Sequence, residues 1–375
     1  MRPGNVGCGY FKKLLSGAFF RLSINENWKG QDFYNIHDVI HNMIRLISGD
    51  ICFCWEVEQT SKEEFVFPKG TRHMFLGRKI VHKVEPKNSY KKNLRTLIMS
   101  SKSGDTTNVL FDFLSDMKHE RVIDLSHMGI DNVRDLIYEM KHLCLLNLFG
   151  NPFSKLPNFF GQLTGLETLK LKNYDRLKQW PEDIKNVVTL RIVLFSVCFL
   201  ENMPLEFGKM VNLETLSVFI VEKSNQNHGI QHLKDQYMLR GSICIVNHEN
   251  VRSHDAKEAS LHTKPFLDKV EFVWNAAVSN GEEVLGGLYP HENLKELVIA
   301  KYIMLPVIHL MGCTKNSVLN DLGILQHLKS LVIEDMPMSL ETVTLVVGFP
   351  VSGESRFPNL RIIEINNCHM LKELP

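Results

Sequence analysis

The chain has 375 residues, 44% of them apolar and 23% charged, with 43 Lys and Arg against 42 Asp and Glu for a net charge of +1. That composition belongs to a globular protein of one large or two ordinary domains; it excludes the disordered class, and the charge balance excludes a polycation built to hold nucleic acid. No stretch approaches the roughly 18 consecutive apolar residues of a membrane-spanning helix, and MRPGNVGCGYFKK at the start lacks the apolar core of a secretory leader. The eight cysteines make no paired C-x-x-C spacing, and no Asn-x-Ser/Thr acceptor occurs, so the expected compartment is the reducing cytoplasm.

In chain order, YFKKLLSGAFF comes first and NIHDVIHNMIRLISGD follows it. The second stretch reads as an amphipathic helix with Ile36, Val39, Ile40, Met43, Ile44 and Ile47 on its apolar side. His37 and His41 stand four apart, with Asp38 after the first. Zinc hydrolases use H-E-x-x-H, in which two histidines hold the metal and the glutamate activates its water. Here the acid is one methylene shorter, and the nearest candidates for a third ligand, Glu56, Glu58, Glu63 and Glu64, lie in strand-like or loop-like sequence. Two surface or half-buried histidines on an amphipathic helix are therefore the preferred reading of the spacing alone. Cys52 and Cys54 alternate with Phe53 and Trp55 on a strand and are expected to pack into a core. Charge is uneven: residues 1–100 carry 16 Lys and Arg against 9 Asp and Glu, and residues 101–375 carry 27 against 33. The densest run, RKIVHKVEPKNSYKKNLR at 78–95, has no aromatic stacking pattern with it and reads as a solvated loop or an intramolecular docking surface.

From Leu94 a pattern L-x-x-L-x-L recurs: LRTLIM at 94, ERVIDL at 120, LCLLNL at 143, LETLKL at 166, LRIVLF at 190 and LETLSV at 213. The intervals are 26, 23, 23, 24 and 23 residues, the period of a leucine-rich repeat. Looser copies begin at 267, 294, 328 and 360, and LRGSICI at 239 is imperfect. The full repeat asks for Asn or Cys at its ninth position and an apolar residue at its eleventh. Asn151 with Phe153, Cys198 with Leu200 and Cys368 with Met370 meet that rule. Prolines at 157, 181, 204 and 375 mark the turn onto the convex side, because proline cannot donate to a β ladder. Regularity weakens between 220 and 266, where VEKSNQNHGIQHLKDQYM reads as an excursion and DAKEASL as a short convex helix.

The spacing implies an α/β leucine-rich repeat solenoid with a parallel sheet on its concave face, over 94–375. Residues 51–93 read as a connecting segment. Within each strand the leucines point inward and the intervening positions project outward, aligned in columns by stacking. The outward set is Glu167, Lys170, Arg191, Leu194, Glu214, Ser217, Lys295, Glu296, Arg361 and Glu364. Mixed charges interleaved with Leu145 and Ile192 suit a protein partner better than a uniform polyanion.

With the repeats placed, the N-terminal stretches resemble the end of the nucleotide-binding apparatus of plant intracellular immune receptors, the NLR proteins of the coiled-coil class. In that family a segment like YFxxLLxxSFF precedes a Met-His-Asp motif that opens a helix and leads into leucine-rich repeats. Here the motif is Ile36-His37-Asp38. LRGSICIVNHENVRSHDAKEASL, GLYPHENLKELVI and FPNLRIIEINNCHMLKELP look like that family's repeat region, so the resemblance covers nearly the whole chain. It implies a small helical, winged-helix-like remnant in residues 1–50. It also implies that His37 and Asp38 contact a nucleotide in an intact receptor, with the histidine holding ADP and keeping the receptor off. No G-x-x-x-x-G-K-[ST] phosphate loop is present; the one Gly-Lys pair, Gly208-Lys209, is followed by Met. ADP or ATP is therefore expected only where the missing nucleotide-binding region is supplied, and the chain reads as a C-terminal receptor piece, a truncated product or a fragmentary gene. The implied function is non-enzymatic: recognition of a pathogen effector or host protein, or autoinhibition against a nucleotide-binding domain of the same class. The alternative is a free-standing leucine-rich repeat scaffold or adaptor.

Overall fold

In a computed structural model of the chain, the structure describes residues 3–23, 33–55, 68–77, 93–99, 114, 117–133, 137–171, 177–195, 200, 202–204, 206–222, 229–247, 250–274, 281–301, 330–334 and 361–366. Cys198, Cys368, Met370, the glutamates at 56, 58, 63 and 64, most of the basic run at 78–95 and the polar stretch 223–228 lie outside them.

The N-terminal elements are local in origin. Helix α1 (Pro3–Ser16) closes with the Phe19 N–H on the Leu14 carbonyl, and the antiparallel hairpin β1 (Phe20–Ser23) and β2 (Phe33–Ile36) pairs Phe20 with Ile36. Phe11 stacks on Phe20 at 5.3 Å and meets Tyr34 edge-on at 5.0 Å, so aromatic contacts fasten helix to hairpin. Helix α2 (Asp38–Ser48) follows and stops at Gly49, whose φ of 47° disfavours any side chain. Its apolar side faces solvent, with Val39 65%, Leu46 84% and Ile47 76% exposed.

Short parallel strands make the rest. β3 (Cys52–Trp55), β4 (His73–Leu76), β5 (Thr96–Met99), β6 (Val122–Asp124), β7 (Leu145–Asn147), β8 (Thr168–Leu171), β9 (Ile192–Phe195) and β10 (Thr215–Leu216) lie side by side in sequence order. Met74, Leu97, Ile123, Leu146, Leu169, Val193 and Leu216 occupy one register row and all point inward, none more than 4% exposed. No single coil could hide such a row: each leucine is covered by the coils before and after it, at roughly 1.5–3 kcal/mol per fully buried side chain. A second sheet runs β11 (Val218–Ile220), β12 (Arg240–Val246), β13 (Phe266–Trp274), β14 (Glu296–Lys301), β15 (Ser330–Glu334) and β16 (Ile362–Asn366), also parallel and in chain order. Only Ser217 separates β10 from β11, and Arg240 N–H to Glu214 O at 2.7 Å carries the stack across the junction.

Each coil returns along the convex side through a tight turn. The residues after Pro181 and before Met210 illustrate it: single-turn 3-10 helices span Glu182–Asn186 and Phe207–Lys209, and the Ile184 and Phe207 amides donate to the Pro181 and Pro204 carbonyls. Before Phe160–Gln162 the turn is tighter, the Phe159 N–H donating to the Pro157 carbonyl two residues back. The prolines thus stand where a ladder donor is not needed. Asn151, 2% exposed, fills the repeat's ninth position: its Nδ2 donates to the carbonyls of Leu125 (2.9 Å) and Leu148 (2.7 Å), and its Oδ1 accepts from Ile130 N–H (3.0 Å). One buried amide thereby satisfies three backbone groups as the chain leaves the strand. DAKEASL forms helix α3 (Ser253–Glu258), Ala256 and Ala259 facing the core, and helix α4 (Gly281–Gly287) packs beside it.

Two expectations need correction. The segment 51–93 is not merely a connector: β3 and β4 pair in register with β5, Cys52 with His73 and His73 with Thr96, so the parallel sheet starts at 52. The leucine pattern misses it because Thr71, fully buried, stands where the first leucine belongs, its hydroxyl satisfied by the Asp50 carbonyl at 3.1 Å. Cys52 and Cys54 are exposed, since β3 alternation turns Phe53 toward the core and sends both thiols outward. The imperfect LRGSICI has a simple origin as well: the ladder to β13 slips at Gly241, which has a φ of 75°, and then resumes.

Candidate interaction surface on the concave sheet

The first outward position of each strand forms a column whose backbone is continuous. Arg72 N–H bonds to Ile51 O, Arg95 to Arg72 O, Arg121 to Arg95 O, Cys144 to Arg121 O, Glu167 to Cys144 O, Arg191 to Glu167 O, Glu214 to Arg191 O and Arg240 to Glu214 O. Side chains in its middle neutralise one another. Arg191 donates to Glu214 Oε1 through Nε (2.8 Å) and Nη2 (2.5 Å) and reaches Glu167 at 3.4 Å; Arg240 lies 3.6 Å from the other Glu214 oxygen. Burial lowers the Arg191 pKa, but the hydrogen bonds and charges of Glu214 and Glu167 outweigh it, and the net shift is upward. Further along, Lys295 pairs with Asp268 and Lys269 with Glu296, each at 2.5 Å.

The structure sorts the outward residues chosen from sequence. Glu167, Lys295 and Arg361 are exposed, and Lys170, Leu194 and Glu296 are half-buried. Arg191 and Glu214 retain only 15% and 12% side-chain exposure and are engaged with each other. Ser217 is engaged by the backbone: its Oγ donates to Phe195 O (2.5 Å) and accepts from Phe195 N–H (2.7 Å), which leaves the hydroxyl no proton to donate to a partner. Glu364 stands opposite Val332 in the register. Lys170 and Leu194 face one another across β8 and β9, next in line after Asn147 and Asp124. Those last two bind internally: Asn147 Nδ2 donates to Asp124 Oδ2 at 2.7 Å, and the other Asp124 oxygen takes Ser126 N–H and Oγ. The working surface is therefore a band of apolar groups, the exposed Ile98 and the half-buried Val122, Leu145, Ile192 and Leu194, edged by charges of which only part are free of internal partners. Sequence spacing could not show which outward charges were already paired, because pairing depends on the column neighbour some 23 residues away.

At the N-terminal end, His37 is exposed and caps α2, its Nδ1 accepting Val39 N–H at 3.3 Å, and Asp38 opens the helix where a negative charge suits the dipole. His41 is exposed one turn on. Among the described residues no three His, Cys, Asp or Glu side chains come together as a metal site. Burial, followed by the charge of Glu271, pushes the Cys244 thiol far above its usual range, so it is a packing group. No described helix is long and apolar enough to cross a membrane.

Stacked single strands, a ladder asparagine and convex 3-10 turns define a leucine-rich repeat protein. Comparison with known proteins agrees: residues 230–336 match the family described as R13L1/DRL21 LRRs. A disease resistance protein of Arabidopsis thaliana is 29% identical over 330 residues, covering 80% of this chain and 22% of its own length. The Arabidopsis RPP13-like protein 1 is 28% identical over 79% of this chain and 29% of that protein, and the RPP8-like protein 2 is 26% identical over 68% and 31%. Among solved structures, a leucine-rich repeat protein of Leptospira interrogans matches with TM-score 0.39 and 14% identity over 82% of this chain and 78% of that one. The repeat ectodomain of the Arabidopsis membrane receptor kinase GASSHO1/SCHENGEN3 matches with TM-score 0.41 and 12% identity, over 82% and 39%. The chain is a leucine-rich repeat protein similar to plant disease resistance proteins, and it spans between about a fifth and a third of the length of those it matches.

Proposed function

We propose that this chain is a non-enzymatic recognition and autoinhibition module for plant defence, acting in the cytoplasm through its concave sheet. The observation that carries the reading is the face of the first sheet, eight parallel strands presenting partly exposed apolar groups edged by charge, joined to relatives named as disease resistance proteins. The partner is a pathogen effector, a guarded host protein or a nucleotide-binding domain of the same receptor class. Residues 1–50 serve as the end of such a nucleotide-binding region. His37 and Asp38, at the exposed N-terminus of α2, contact ADP only when the rest of that region is present.

The test is association with a nucleotide-binding domain of this receptor class supplied in trans. Charge reversal at Lys170 and Lys295, which line the concave face, is expected to weaken association at least tenfold with the melting temperature nearly unchanged. Reversal at Lys234 and Lys257, exposed near the convex turns, should leave it intact. The opposite pattern sinks the assignment of the face.

A further inference from the structure

Each strand is entered from a turn, and the residue two places before the repeat's first inward position faces solvent. Along the solenoid that column is polar toward both ends, with Lys118, Lys141 and Thr164 on three successive coils and Glu292 farther on. Between them it turns apolar: Val188, Val211 and Tyr237 are 55%, 51% and 55% exposed. Met238, beside Tyr237, is 42% exposed, and Phe266, opposite Arg240 in the register of the next coil, is 54% exposed. The five make a strip across four consecutive coils, on the rim of the concave sheet where the strands begin. Several internal contacts hold it in place. Asn212 Nδ2 donates to the Val188 carbonyl at 2.7 Å and fastens two of the coils. The Tyr237 ring lies 5.8 Å from the buried Lys264 ammonium and its hydroxyl donates to Asp235 at 3.4 Å, while the Arg240 guanidinium sits 5.7 Å from the Phe266 ring.

Partly exposed valine, tyrosine, methionine and phenylalanine bordered by polar residues have the anatomy of an interface core, and aromatic anchors already held in place lose little freedom on binding. Five such side chains amount to an apolar patch on the order of 300–600 Å², the size at which a patch on a monomer marks an interaction site. A stable pair of copies buries roughly 800 Å² per partner, more than the strip offers. A lipid surface calls for a uniformly basic border, whereas Glu206 and Asp235 are interspersed with Lys185, Lys209 and Lys234 on the convex side of the strip. Glu206 is shared by Lys185 (3.1 Å) and Lys209 (2.8 Å), so that border favours a partner bringing a carboxylate. The strip runs across the strands rather than along a sheet edge, and an extended peptide laid on it finds no ladder to join. Alternate residues of such a peptide, about 6.7 Å apart, also fall out of step with coils about 4.8 Å apart. A helix presents i, i+3, i+7 and i+10 at rises of about 4.5, 10.5 and 15 Å, against about 4.8, 9.6 and 14.4 Å for the coils. We infer that Val188, Val211, Tyr237, Met238 and Phe266 form a docking strip, separate from the concave face, for an amphipathic helix of a protein partner. That helix bears apolar residues at i, i+3, i+7 and i+10 and glutamate on the side that meets Lys209.

The probe is an 18-residue helical peptide with Leu at i, i+3, i+7 and i+10 and Glu on one adjoining side, titrated into the full chain by fluorescence anisotropy. A peptide of the same composition with its leucines dispersed around the helix is the control. The patterned peptide is expected to bind at least tenfold more tightly than the control. Val188→Glu with Val211→Glu should reduce its affinity at least tenfold, while Lys170→Glu, on the concave sheet, changes it less than twofold. Should the double variant melt early, Val211→Glu alone carries the same readout, since that side chain is about half exposed. Equal binding of the two peptides, or unchanged affinity in the valine variants, overturns the inference. So does retention on phosphatidylcholine–phosphatidylserine vesicles, or a dimer in sedimentation, that the valine variants abolish, since either puts another occupant on the strip. None of these results bears on the concave face, which the Lys170 and Lys295 reversals test separately.

Discussion

Asn151→Ala removes one side chain and orphans three backbone groups: the Ile130 N–H and the carbonyls of Leu125 and Leu148, at 3.0, 2.9 and 2.7 Å from the lost amide. Asn151 is 2% exposed, so water reaches none of them without opening the coil. Each buried group left without a partner costs about 1–3 kcal/mol, and partial relaxation brings the sum to about 3–6 kcal/mol. Against a whole-domain stability of roughly 5–15 kcal/mol that is a large share. Because coils bear mainly on their neighbours, the damage should be local as well as global. Denaturant unfolding followed by circular dichroism should show the midpoint falling sharply, and amide exchange should accelerate first in 122–153. Asn151→Cys, which restores a weak donor, should recover part of the loss. A cost below about 1 kcal/mol with native spectra would mean that these three groups find other partners and that the ladder asparagine is not what closes the turn.

Further perturbations have equally definite outcomes. Arg191→Ala breaks a half-buried pair and leaves Glu214, with 12% side-chain exposure, beside only the more distant Arg240; the expected loss is about 1–3 kcal/mol by thermal unfolding, whereas Lys295→Ala, whose pair with Asp268 is exposed, should cost less than about 1 kcal/mol. Lys264 is wholly buried, its Nζ donating to Leu233 O at 2.7 Å, and burial lowers its pKa from 10.5 to about 8. The folded chain releases that proton near pH 8 while the unfolded chain keeps it to about 10.5, so the unfolded state binds more protons in between and stability rises with pH across that window. The gain relative to Lys264→Met should reach about 1–3 kcal/mol by pH 10.5, and parallel pH profiles for the two proteins would refute the assignment.

Much of this architecture is written in short-range pattern. The 23-residue interval, the alternation of inward leucines, Asn151 at its ninth position and the prolines before each convex turn all follow from one coil's need to place apolar groups inward and spare ladder donors. Each of these rules acts within a single repeat, so reading along the chain recovers them. The coils before Leu94 escaped that reading because Thr71 breaks the hydropathy rule at the first position while the backbone ladder runs on unchanged.

What a residue on the concave face is free to do is settled across coils instead. Arg191 and Glu214 looked like independent contact residues until the register brought them together; Ser217 looked outward until its hydroxyl met the Phe195 backbone. Val188 and Val211 drew no notice within their own repeats, and only stacking makes them a strip with Tyr237. Side-chain periodicity is a property of one strand, and so it survives in sequence. Charge pairing depends on the neighbour about 4.8 Å away in space, which in this fold is a full coil away along the chain.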